Sequence, residues 1–144
     1  MADDGGLSKF QRRMNAIPKD VREAVKPALI RQANQIATTA RALAPEDSGD
    51  LKASIEVTGP GQQTPAYSQP GGSSTVGSNQ AAVTAGNSDV RYAHLVEYGH
   101  GNGFGGSTVP AKPFFWPAVR MHRKKAAQSI KSAISRAIKK SKKP

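Results

Sequence analysis

Cysteine is absent from the chain. A disulfide framework, a thiolate metal site and a cysteine nucleophile are therefore excluded together. Aromatic residues make up only 6% of the 144 positions and hydrophobic residues 37%, against 14 Gly and 10 Pro. A chain of this length buries about two-thirds of its unfolded surface in one core, so this composition predicts one domain over residues 1–144 with long loops and a tail. No stretch approaches the roughly 18 consecutive apolar residues of a membrane span. The start, MADDGGLSKF, is acidic and lacks an apolar signal region, and the chain is expected to be soluble, unexported and without a membrane partner.

Acidic residues are missing from one end. Residues 111–144 hold eleven Lys and Arg and no Asp or Glu, whereas residues 1–110 hold ten of each sign, so the whole net charge of +11 sits at the C-terminus. Such an asymmetry points to a polyanion, to an acidic protein surface or to a solvated tail.

Apolar residues at Val21, Val25, Ala28, Leu29, Ala33, Ile36, Ala37, Ala40, Leu43 and Ala44 keep the three-and-four spacing of one buried helical face. They predict a long helix over 19–44, with a kink or restart near Lys26 caused by Pro27. A short amphipathic helix is expected over Leu7–Asn15. Pro45 ends the long helix, and Asp47 or Ser48 can cap a new turn through Leu51. Strands are expected at 55–58 and 81–86. Between them, 59–80 (GPGQQTPAYSQPGGSSTVGSNQ) reads as a loop that cannot order itself for want of apolar residues. Residues 92–98 predict a short helix with Tyr92, Leu95 and Val96 on one side, ended by Gly99. The last helix runs from about Phe114–Pro117 to Lys140, with Val119, His122 or Arg123, Ala126, Ala127, Ile130, Ala133, Ile134, Ala137 and Ile138 as its apolar stripe. The expected fold is α+β: long N- and C-terminal helices packed on a small, mostly antiparallel sheet.

Three chemical patterns need weighing. His94, Glu97 and His100 are spaced by three, which drifts off one helical face, and Gly99 intervenes before His100; zinc helices place His pairs four apart. Glu97 therefore reads as a polar anchor among aromatic neighbours, and a metal-dependent enzyme using His94 and Glu97 is the weaker alternative. Gly101, Gly103 and Gly106 satisfy GxGxxG but do not lie between a strand and a helix, as a dinucleotide loop requires. No GxSxG elbow occurs. No cofactor is expected. The basic C-terminal helix lacks interleaved aromatics, so it is no base-stacking platform, although it could touch a phosphate backbone without reading sequence.

Taken in order, RALAPEDSGDLKASI, DVRYAHLVEYGH and VPAKPFFWPAVR resemble the tail-completion, or neck, family of long-tailed bacteriophages, which includes the Z-type completion proteins of lambda-like phages. The matching positions are Ala44, Pro45, Asp47, Ser48, Gly49, Leu51, Ser54 and Ile55, then Tyr92, Ala93, Glu97, Tyr98 and Gly99, then Pro110, Ala111, Pro113, Phe114, Phe115, Pro117 and Ala118. The long 59–80 loop and the glycine run at 101–106 depart from the family pattern.

The resemblance implies a structural virion protein without catalysis. It would close the head-proximal end of the tail and join it to the head as a homo-oligomeric ring, hexameric or dodecameric, around the DNA channel. Its neighbours would be connector or stopper proteins and tail-tube or terminator proteins. Arg120, Lys124 and Lys131, with Lys139, Lys140, Lys142 and Lys143 in the 139–144 tail, are the candidate contacts to an adjacent ring or to packaged DNA. A small basic nucleic-acid-binding protein is the alternative.

Overall fold

The apolar spacing of the N-terminal half is realised as helix α1, Lys19–Leu43, which buries Val21, Val25, Ala28, Leu29, Ala33, Ala37 and Ala40 along one face. The computed structural model describes residues 8, 9, 12, 19–45, 49–99 and 110–141; residues 8, 9 and 12 are helical and exposed. The restart expected at Lys26 does not occur, because α1 runs unbroken through Pro27. Pro27 is exposed, so the Glu23 carbonyl that loses its partner lies on the wet side of the helix, where water can satisfy it.

Gly49 then takes φ +84°, a left-handed conformation that glycine adopts without a Cβ penalty, and opens the single turn α2, Asp50–Ala53, without a side-chain cap. The capping candidates Asp47 and Ser48 lie outside the described residues. The turn delivers Leu51 and Ile55 to the core. It is fixed on both sides: Arg41 donates from Nη2 to the Ile55 carbonyl at 2.8 Å, and the buried Ser54 hydroxyl donates to Leu51 O while accepting the Gly86 N–H.

Strands β1, Glu56–Thr58, and β2, Ala82–Thr84, pair antiparallel with Val57 opposite Val83. The 59–80 segment corrects the expectation of a loop unable to order itself. Its backbone pairs Thr64 N–H with Ser74 O, Val76 N–H with Gln62 O and Gly61 N–H with Val76 O. Thr64 is buried at the centre, its hydroxyl accepting the Ser74 N–H and donating to the Gly72 carbonyl. Polar residues thus supply the order that apolar content does not, by satisfying backbone groups internally.

Helix α3, Ala93–Tyr98, turns Ala93 and Glu97 inward, while Tyr92 just before it is exposed and Leu95 and Val96 are half-buried. Helix α4, Phe115–Ser141, returns along α1. The C-terminal half of α1, at Ala37 and Ala40, shares a core cluster with Phe115 and Ala118, while its N-terminal half, at Val25 and Leu29, packs on Ile130, Ile134 and Ala137. The two long helices are therefore antiparallel. Of the stripe expected on α4, Ala127 is exposed, and of the alternatives His122 and Arg123 it is His122 that is half-buried.

Candidate functional site

Two of the sequence segments meet at the start of α4. A helix leaves four N–H groups without an internal acceptor at its N-terminus, here those of residues 114–117. Glu97 takes three of them. Its Oε2 accepts from the Phe114 and Phe115 amides, each at 2.9 Å, and its Oε1 accepts from the Trp116 amide at 3.1 Å. The fourth position is Pro117, which has no N–H to satisfy. A buried carboxylate is also favoured by the positive end of the α4 dipole. This clasp explains why a glutamate in one segment and a proline in the other stand where they do.

The rest of the junction follows from it. The Lys112 N–H donates to Val96 O at 2.8 Å, holding the exposed lead-in that contains Pro110 and Pro113 beside α3. Phe114 is fully buried and Phe115 nearly so, in a cluster with Ala40, Ala44, Leu51, Ile55 and Ala93. Trp116 meets Phe115 edge-on at 5.3 Å between ring centroids and donates from Nε1 to the Tyr98 hydroxyl at 2.6 Å. Gly99 ends α3 with φ +76° and donates to Leu95 O. Phe114 and Phe115 are therefore core residues, while the half-buried Trp116 packs against the edge of that core and Tyr98 is exposed.

Glu97 is fully committed to backbone amides, and His94 is exposed beside it. His100, the glycine run and Phe104 lie outside the described residues. Among the described residues no group of three or more His, Asp or Glu side chains is arranged to hold a metal ion.

The clasp also sets what α4 displays. Arg120, Lys124, Lys131, Lys139 and Lys140 are all exposed, and among the described residues none of the α4 cations has an ion-pair partner. At about 100° per residue, Arg120, Lys124 and Lys131 fall within about 40° of one another and form one stripe. Lys142 and Lys143 lie outside the described residues. Between the helices, His122 Nε2 and the Thr39 hydroxyl meet at 2.6 Å. Periodicity alone did not reveal that link, nor the Arg41 bond to Ile55, because each joins residues whose partners are set only by the fold.

No helix among the described residues is long and apolar enough to cross a membrane. Neither a curated protein nor a solved structure matches the chain. The HK97-gp10-like family model, described as "Bacteriophage HK97-gp10, putative tail-component", matches residues 8–99. That match covers α1, the turn at Gly49, both strands and α3 with Glu97, which is well over half of the sequence. The chain belongs to the HK97-gp10-like family of bacteriophage tail components.

Proposed function

We propose that the protein is a non-catalytic ring subunit of the phage neck, which completes the head-proximal end of the tail and joins it to the head around the DNA channel. Membership of a tail-component family makes it a structural protein of the virion that works against other virion proteins. The observation that carries the finer reading is the Glu97 clasp, which presents α4 as a long helix whose outer cations have no ion-pair partner among the described residues. Among the described residues such a surface has no ion-pair partner, and it is complementary to an acidic neighbour.

Within this reading, the stripe of Arg120, Lys124 and Lys131 docks on an acidic face of the adjacent connector, stopper or terminator ring. A channel must let the genome slide, which disfavours a dense circle of tight phosphate clamps on that stripe. Arg forks can instead fix the register of one protein on another.

The test is head-tail joining by particles that carry Arg120→Glu and Lys124→Glu. Both positions are exposed, so the subunit keeps its fold, and the expected result is filled heads and finished tails that do not join. Normal joining would overturn the docking assignment. A purified protein that stays a monomer or dimer with steeply salt-dependent DNA affinity would favour the nucleic-acid-binding alternative.

A further inference from the structure

A second surface lies on the other flank of α4, in a notch of about 280 Å³ between α1 and α4. Its polar lining is Arg31 and Gln32 from α1 and Gln128, Ser129, Ser132 and Arg136 from α4. All six side chains can donate hydrogen bonds and none is a carboxylate. Among the described residues none of these side chains has a hydrogen-bond or ion-pair partner. Gln32 is the least exposed of the six, at 8%, but solvent still reaches its amide, since among the described residues only Arg22 and Thr84 carry fully buried side-chain polar atoms without a partner. An oxygen entering the notch can accept from it in place of water.

We propose that this notch seats a phosphate group of a nucleic-acid backbone. That this backbone is the packaged genome rests on the neck reading, under which one open, water-reached seat per subunit must release each phosphate as the genome slides, unlike a dense circle of tight clamps; the notch chemistry does not rest on it. Two considerations favour a phosphate over a carboxylate. A carboxylate is planar and is satisfied by one guanidinium fork, whereas the donors here converge from two helices and suit oxygens that point tetrahedrally. The notch is also part of a row. At about 100° per residue, Lys125, Ser132, Arg136 and Lys139 share a stripe about 60° wide that extends about 21 Å along α4, separate from the Arg120 stripe. A line of cations and hydroxyls matches the regular charge of a DNA strand, and Arg, Ser and Gln contacts of this type hold the backbone without reading bases.

The experiment measures binding of the purified full-length protein to a random-sequence 20-base-pair duplex across a salt series. Arg31→Gln with Arg136→Gln is compared with Arg120→Gln with Lys124→Gln, which removes the same charge, and with the uncharged pair Gln128→Ala and Ser132→Ala. The notch predicts that the Arg31 and Arg136 pair weakens binding about tenfold and lowers the salt slope by about one. The Arg120 pair should lose clearly less, and the uncharged pair should weaken binding without changing the slope. Equal losses for the two charge-removing pairs would mean diffuse attraction and overturn the proposal. So would unchanged DNA affinity in the notch variant together with failure to join a neighbouring protein, which would assign the notch to a carboxylate. Native mass measured on the same samples separates the two readings: notch-dependent DNA binding by a protein that forms no ring would count against the neck and leave the phosphate site standing.

Discussion

Glu97 accepts the backbone N–H of Phe114 at 2.9 Å, across a buried contact between the end of α3 and the start of α4. This bond and its two companions turn a family segment that ends at Gly99 into the anchor of a helix that lies beyond the residues matched by the family model. The clasp is therefore where the matched part of the chain controls the basic part.

Glu97→Gln keeps the shape but removes the charge and leaves only one acceptor oxygen for three amides. Hydrogen bonds to a charged group contribute about 1.5–3 kcal/mol each, so a loss of about 2 kcal/mol is expected in denaturant unfolding, with a larger loss for Glu97→Ala. Unchanged stability in both variants would show that the clasp does not hold α4.

Phe114→Ala should cost about 3 kcal/mol, since the side chain is 1% exposed in the main core cluster. Trp116→Phe removes the bond to Tyr98 at an exposed site and should cost less than about 1 kcal/mol. The ratio of these two losses, read from urea midpoints at constant slope, checks which aromatic is core. Equal losses would contradict the assignment.

Gly86 sits at φ +96°, and a Cβ there would lie 2.8 Å from the Val90 carbonyl oxygen. Gly86→Ala is expected to cost about 2 kcal/mol or more. Gly71, at φ +85° with nothing within 4 Å of a Cβ, carries only the conformational cost of about 1 kcal/mol. Thermal melts of the two alanine variants should therefore separate, and coincident melts would argue against the close approach at Gly86.

Both long helices were legible in the sequence because each buries one face against the other, which leaves the 3.6-residue period intact from Val21 to Ala40 and from Ala118 to Ile138. The α+β class followed from the same reasoning. The polar role of Glu97 was also legible, but its three partners were not, since nothing local ties residue 97 to residues 114–116. The order of the 59–80 segment escaped because hydrogen bonds around Thr64 leave no side-chain period to read. The notch escaped for a related reason: Arg31 and Arg136 come together only once α1 and α4 lie antiparallel.

The 59–80 segment yields a direct check on that last correction. The amides of Thr64 and Val76 donate within the loop, so both should exchange slowly in the free subunit and faster in Thr64→Val, which removes the hydroxyl that bonds Gly72 and Ser74. Fast exchange at both amides in the unsubstituted protein would return the loop to the class of segments ordered only by neighbours.

The central claim, a structural ring at the neck, is tested most directly by cryo-electron microscopy of assembled particles made with and without this chain. The account predicts a closed ring of its copies at the head-proximal end of the tail, with α4 facing an adjacent ring, and unjoined heads and tails when the chain is missing. Joined, normal particles in its absence, or copies located elsewhere in the virion, would contradict it.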